Sequence, residues 1–123
     1  MNHTRPKNLN LLTIRFPLPA IVSIFHRLSG VALFLFIPFS MWVFHFSMTE
    51  SGFMALSEYL HGLVGKLILW LLLIPFCYHL VAGLRHLLTD IHIGSTLKGG
   101  RQGAMLTFII SAILIILAGF WIW

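Results

Sequence analysis

The sequence predicts an all-α membrane protein with three transmembrane helices and a short N-terminal cytoplasmic lead-in. Of its 123 residues, 59% are hydrophobic and only 9% are charged, whereas soluble domains average about 25% charged residues. A soluble domain of this size leaves too much of its surface in water to bury so large an apolar share. The same composition excludes intrinsic disorder.

Three apolar runs are long enough to cross a bilayer, at residues 28–46, 63–88 and 103–123. A hydrocarbon core about 30 Å thick requires roughly 20 apolar residues of helix. Helices satisfy their own backbone hydrogen bonds in lipid, so we expect three helical spans. Together they predict a single transmembrane domain over residues 1–123.

The segment before the first run has no regular pattern, but its prolines mark a helix start. Pro17 and Pro19 both restrict the backbone. Because proline is favoured in the first turn of a helix, Pro19 can start a helix at Ala20. We therefore expect a short helical lead-in over residues 20–27, either continuous with the first span or hinged to it.

Basic residues are distributed unevenly between the connecting segments. Residues 47–62 contain no Lys or Arg, whereas four of the eight basic residues precede residue 28, and Lys98 and Arg101 lie between the second and third runs. By the positive-inside rule, the N-terminus is cytoplasmic and the C-terminus lies outside. These residues flank apolar runs and form no dense patch. The net charge of +5 therefore indicates membrane topology, with lipid as a partner and no nucleic acid.

His79 is the most unusual residue of the second run. At 1.5 Å per residue it lies about 24 Å from the outer end of residues 63–88 and about 13 Å from the cytoplasmic end. An ionisable side chain at this depth is costly and indicates a functional site. The alternative is a neutral histidine that hydrogen-bonds across a helix interface. Position alone favours neither.

The neighbours of His79 favour a porphyrin ligand. Gly83 lies one turn away on the same face and can leave room for a flat group, although it can also serve close helix packing. Arg85 and His86 lie nearer the cytoplasm, where the propionates of a porphyrin would need cations. Histidine commonly binds haem iron. One chain supplies one histidine at this depth, so a second iron ligand would come from another protein.

Ser23, His26 and Arg27 share one face where the lead-in meets the first span. All three can donate hydrogen bonds, and a quinone carbonyl becomes negative on reduction, so fixed donors there favour its reduced forms. His26 can supply a proton near neutral pH. The alternatives are an arginine that extends to the lipid headgroups and a serine that packs between helices.

Two motifs resemble the signatures of a known family. SIFHRLSG, residues 23–30, is similar to the Ser-Ile-x-His-Arg-x-Ser/Thr-Gly signature of the cytochrome b subunit of succinate dehydrogenase. YHLVAGLRHLLTD, residues 78–90, resembles its second signature, and the leader RPKNLNLLTIRFP resembles the proteobacterial form. The resemblance implies a three-helix anchor of respiratory complex II in the bacterial inner membrane. Its partners are a second small membrane subunit, an iron–sulfur subunit and a flavoprotein subunit.

The resemblance also assigns roles to individual residues. It implies that His79 is an axial ligand of haem b, and that the partner membrane subunit supplies the other axial histidine and a quinone-binding tyrosine. Ser23 and Arg27 match the ubiquinone-site residues, and His26 and Arg27 match positions near the haem propionates. Succinate is oxidised in another subunit, so this chain would contribute the quinone site of the enzyme and pass electrons from the iron–sulfur subunit to ubiquinone.

Three alternative functions stay open at this point. The same scaffold can anchor a fumarate reductase that oxidises quinol. His79 can instead be a packing residue of a haem-free structural anchor. A small transporter is the third, but no acidic residue lies within a run to carry a proton or a cation.

Overall fold

A computed structural model describes residues 16–123, which form four α-helices. The helices are α1 (Leu18–Ser47), α2 (Glu50–His61), α3 (Leu63–Asp90) and α4 (Leu97–Ile122). Helices α1, α3 and α4 are long and apolar enough to cross a membrane, and no strand occurs in this part of the chain. The predicted all-α fold with three long apolar helices is thereby confirmed. The leader motif before residue 16, with Arg5, Lys7 and Arg15, lies outside the described residues.

Helix α1 joins the predicted lead-in and the first run into one continuous helix of 30 residues. Pro17 is extended and caps the helix, and its carbonyl accepts a hydrogen bond from the Ala20 amide at 2.9 Å. Proline in the first turn loses no internal hydrogen bond, since the first amides of a helix have no partner there. The lead-in is therefore continuous with the span and not hinged.

Helix α2 was not expected from the hydropathy pattern, because its 12 residues are too short to cross a bilayer. Its start is capped by Thr49, whose hydroxyl accepts from the Gly52 amide at 3.1 Å. Glu50 in the first turn is favoured by the helix dipole. Capping signals, and not apolar length, predict a helix of this kind.

Helix α4 begins at Leu97, six residues before the third apolar run starts at residue 103. Thr96 caps it by accepting from the Gly99 amide at 3.0 Å. The connection from α3 turns through His92 and Gly94, which both have positive φ. Helix ends follow caps, whereas an apolar run marks only the stretch that suits lipid, so the two boundaries differ.

The three long helices pack through small side chains. Val22, Ala82 and Ala104 are fully buried where α1, α3 and α4 meet. Small residues let membrane helices approach closely, because hydrophobic burial adds little between helices that already lie in hydrocarbon. The large apolar side chains point outward, as Phe34 and Phe44 do at 70% and 67% exposure. This outer surface suits lipid or the apolar face of another membrane protein.

Enlarging the central small residue of α4 is expected to destabilise the bundle. Ala104→Leu adds three carbons at a fully buried site, and overpacking in a well-packed core costs about 1 to 3 kcal/mol. Unfolding of the purified chain by SDS in detergent micelles, followed by circular dichroism, measures the change in the free energy of unfolding. Ala112→Leu, on the exposed face of the same helix, is the control. Equal losses in both variants would contradict the packing described here.

Candidate functional site

His79 is hydrogen-bonded to α1 through one of its two ring nitrogens. Its Nδ1 lies 3.0 Å from the Ser29 hydroxyl oxygen and 3.1 Å from the main-chain carbonyl oxygen of His26. Ser29 itself donates to that same carbonyl at 2.8 Å. Nε2 makes no hydrogen bond to any residue between 16 and 123. One ring nitrogen of His79, Nδ1, is therefore hydrogen-bonded to α1, and the other, Nε2, is available to bind another group.

Two more imidazoles form a row with His79 at the α1–α3 interface. The rings of His26 and His79 stack with centroids 4.2 Å apart and planes inclined by 21°. The ring of His86 lies 5.0 Å from that of His26, tilted by 40°. His26 is therefore the middle member of a row of three rings, which we call the histidine row. Both α3 histidines lie on one face because they are seven residues apart.

Gly83 makes room for His26. A Cβ at Gly83 would lie 3.4 Å from Nε2 of His26, so the imidazole occupies the space that the sequence predicts for a flat ligand. The spacing from His79 places Gly83 on the expected face, but α1 packs against that face. Nε2 of His26 is buried and has no hydrogen-bond partner within residues 16–123. Such an atom costs about 1 to 3 kcal/mol unless another group satisfies it.

Ser23 and Arg27 lie on α1, one turn apart. Ser23 is half-buried, and Arg27 is exposed. In the described part of the chain, no hydrogen bond joins either side chain to the histidine row. The structure thus brings together His26 and His79 but leaves the Ser23–Arg27 pair as a separate, accessible group of donors.

Arg85 faces α4 and not the histidine row. Its Nη2 donates to the carbonyl of Gly100 at 3.2 Å, and a Cβ at Gly103 would lie 3.4 Å from its Nε. The sequence predicts Arg85 and His86 as neighbouring cations beside one ligand. Successive residues of a helix point about 100° apart, so only His86 reaches the row, while Arg85 links the end of α3 to the start of α4.

Two contact residues escape prediction from sequence. Ser29 is 7% exposed and touches His79, and the Tyr78 hydroxyl donates to the carbonyl of Val22 at 3.0 Å. Both bonds join α1 to α3. Ser29 lies three residues after His26, on the same face of α1. A hydroxyl on that face of an apolar run is the sequence signal that could have identified Ser29 as a contact of His79.

The chemistry of the donors limits what the site can hold. Within residues 16–123, no group of three His, Cys, Asp or Glu side chains could hold a metal ion by itself. Histidine nevertheless remains a strong single ligand through a free ring nitrogen. The site can therefore supply one axial ligand to a metal held mainly by other atoms, but not a complete coordination sphere.

Comparison with known protein families decides the identity of the chain. Residues 1–118 match the model of the succinate dehydrogenase/fumarate reductase transmembrane subunit family. The chain belongs to this family. The resemblance seen in SIFHRLSG and YHLVAGLRHLLTD is thus confirmed, and the match includes both motifs. Membership of a transmembrane subunit family agrees with the three long apolar helices.

Individual relatives support the same family. The chain is 41% identical to the succinate dehydrogenase cytochrome b556 subunit of Coxiella burnetii, with all of both chains covered. It is 32% identical to the subunit of that name from Paracoccus denitrificans, over 92% of this chain and 88% of the relative. The corresponding subunit of Rickettsia prowazekii is 31% identical over 76% of this chain and 73% of the relative. The succinate dehydrogenase cytochrome b family of membrane anchors therefore includes this chain.

Removing the tyrosine hydroxyl at the α1–α3 interface is expected to weaken the scaffold of the site. Tyr78→Phe deletes the hydrogen bond to Val22, which should lower the free energy of unfolding by about 1 kcal/mol. SDS unfolding in micelles provides the measurement. The chain has one other tyrosine, Tyr59, which is 49% exposed. Tyr59→Phe should have no effect. If both variants unfold alike, the cross-helix bond does not stabilise the site.

Proposed function

We propose that this chain is the haem b- and ubiquinone-binding membrane anchor subunit of succinate dehydrogenase. It forms one transmembrane domain that passes electrons from the iron–sulfur subunit to ubiquinone, in the respiratory chain and the tricarboxylic acid cycle. Succinate itself is oxidised in the flavoprotein subunit. The single observation that carries this proposal is the engagement of Nδ1 of His79 by α1, which leaves Nε2 as a metal-binding atom at membrane depth.

The donor set fits a haem iron. A porphyrin supplies most of the ligands to its own iron, so the protein would need to add few, and His79 could supply one through Nε2. A second ligand would come from a second small membrane anchor subunit, because this chain supplies one histidine at the depth of His79. The buried Nε2 of His26 lacks a partner in this same range, and a polar group of a bound ligand would satisfy it. Relatives of the chain carry the name cytochrome b556.

His79 would hold the iron through Nε2, and His26 and Arg27 of α1 would bind the polar edge of the haem. When bound, haem b would supply a one-electron carrier. Arg27 is exposed, so its guanidinium is accessible to a propionate, and His26 adds a donor next to it in the histidine row. A carboxylate paired with arginine forms strong, charge-assisted hydrogen bonds.

Ser23 and Arg27 bind ubiquinone. Their spacing of one turn presents a hydroxyl and a guanidinium on one face of α1. Negative charge develops on the quinone oxygens during reduction, and pre-placed donors stabilise that charge more than they stabilise the neutral quinone. Arg27 supplies a fixed positive charge at every relevant pH. The chain thereby contributes the quinone site without taking part in succinate chemistry.

The basic end of the bundle faces the cytoplasm in the bacterial inner membrane. Helices α1 and α4 begin at this end, where Gly100 lies beside Pro19, and α3 ends there with Arg85 bound to Gly100. The positive-inside rule places this end, with Lys98 and the N-terminus, in the cytoplasm. The C-terminus is then periplasmic. The iron–sulfur and flavoprotein subunits dock on the cytoplasmic side, next to Ser23 and Arg27.

A fumarate reductase anchor is the second candidate. The description of the matching family names both succinate dehydrogenase and fumarate reductase, and the same donors can bind quinol. The succinate dehydrogenase name of relatives such as the Coxiella burnetii subunit, which is matched over its full length, favours the first candidate.

Substitution of His79 is expected to abolish haem binding. His79→Gln removes the imidazole but keeps a polar side chain of similar length, so the assembled complex should lose its b-type absorbance. The reduced-minus-oxidised spectrum, normalised to flavin content, measures this loss. His45→Gln, at an exposed position of α1, should retain the haem. A wild-type complex that assembles fully without haem would identify the chain as a haem-free anchor.

Substitution of Arg27 is expected to uncouple quinone reduction from succinate oxidation. Arg27→Leu removes a charged donor, and loss of one such donor slows a reaction by about 10²-fold or more. Ubiquinone reduction by succinate should fall by that factor, whereas oxidation of succinate with an artificial dye should be unchanged. Arg101→Leu, which removes an exposed charge from α4, is the control. Parallel losses of both rates in a normally assembled Arg27 variant would disprove this role.

A further inference from the structure

We propose that Ser29 is a positioning residue for the haem ligand, acting with the main-chain carbonyl of His26. Together they hold Nδ1 of His79 in its protonated form, aim Nε2 at the iron, and lower the midpoint potential of the haem. This inference rests on the proposed function, in which His79 binds haem b. It concerns a residue that lies outside the expected haem and quinone contacts.

The hydrogen-bond directions follow from one atom that can only accept. The His26 carbonyl oxygen lies 3.1 Å from Nδ1 of His79 and 2.8 Å from the Ser29 hydroxyl oxygen. Each neighbour must therefore donate to it. Ser29 has one hydroxyl hydrogen, which is committed to this carbonyl, so Ser29 faces Nδ1 at 3.0 Å with its lone pairs.

The opposite assignment leaves an unfavourable contact. If Ser29 donated to an unprotonated Nδ1, that nitrogen and the His26 carbonyl would present lone pairs to each other at 3.1 Å. If Nδ1 of His79 carries the hydrogen, its N–H can be shared between the Ser29 hydroxyl oxygen and the His26 carbonyl oxygen. All three groups are then hydrogen-bonded. With the hydrogen on Nδ1, the neutral ring of His79 carries its free lone pair on Nε2.

Three features of one turn of α1 define the orientation of the His79 ring. The acceptor pair of Ser29 and the His26 carbonyl holds Nδ1. The His26 imidazole stacks against the ring at 4.2 Å. On the side of Cε1, Gly30 permits the close approach, because a Cβ there would lie only 3.1 Å from that carbon. Rotation of the ring would therefore break a hydrogen bond or lose the stacking contact.

The acceptor pair has a measurable electronic consequence. A hydrogen bond from Nδ1–H increases electron donation from Nε2, which favours ferric over ferrous iron. Partners of this kind change metal affinity by about 10- to 100-fold. Ser29→Ala removes one acceptor and leaves the His26 carbonyl, so we expect a loss of up to about tenfold in relative ferric affinity. For a one-electron couple this equals a rise in midpoint potential of up to about 59 mV.

The test compares serines that make the same local bond in the same helix. Ser40 donates to the Ile37 carbonyl at 2.7 Å, three residues back, as Ser29 does to His26, but it does not contact His79. Potentiometric titration of the assembled complex measures the haem midpoint potential, and electron paramagnetic resonance records the ferric haem signal. Ser29→Ala should raise the potential and shift that signal. Ser40→Ala and the conservative Ser29→Thr should resemble the wild type.

Each outcome decides the proposal. Wild-type potential and signal in Ser29→Ala would overturn it, and so would equal shifts in Ser29→Ala and Ser40→Ala. If Ser29→Ala retains no haem, Ser29→Thr decides: haem at the wild-type potential supports the proposal, and a haem-free threonine variant contradicts it. The His79→Gln complex distinguishes a failure of the proposed function from a failure of the proposed role of Ser29. Retention of haem there refutes the proposed function, whereas loss of haem there with an unshifted Ser29→Ala refutes only the role of Ser29.

Discussion

The contact of His79 with α1 is the interaction on which the rest of this structure depends. A polar side chain at membrane depth finds no water, so its hydrogen bonds must come from neighbouring helices. Nδ1 meets this requirement through Ser29 and the His26 carbonyl. Because that carbonyl belongs to the backbone of α1, the contact sets the spacing and the rotation of α1 against α3. The same contact decides which ring nitrogen remains available for a metal.

The other links between the long helices follow one pattern. Tyr78, Trp70 and Arg85 of α3 each donate to a main-chain carbonyl of a neighbouring helix, at 3.0, 2.9 and 3.2 Å. Hydrophobic burial contributes little to helix association in lipid, so directional bonds and close contact at small residues take its place. Because these bonds lie between helices, the outer faces stay apolar. A bundle built in this way can hold a polar site inside while its surface faces lipid and partner subunits.

Hydropathy predicts the spans because the thickness of a bilayer constrains only the length of an apolar helix, and that length can be read from the sequence. It misses α2, which is too short, and the early start of α4, which Thr96 determines by capping. The depth of His79 also follows from length. The contacts of Gly83 and Arg85 do not, because they depend on how α1 and α4 rotate against α3, and the periodicity of one helix contains no information about its neighbours. The depth of His79 was therefore predictable, whereas its contact with Ser29 was not.

The histidine row explains how one turn of α1 can link the two proposed binding sites. His26 stacks on His79 through its ring and supplies its main-chain carbonyl to the same histidine, while Arg27 directly follows it in the sequence. Any displacement of this turn of α1 moves the His79 ring and the Arg27 guanidinium together. The buried Nε2 of His26 is unsatisfied within residues 16–123, so a group that binds it stabilises the turn by mass action. If His79 binds haem and Arg27 binds quinone as proposed, binding at either site should order the other, because both share the same segment of backbone.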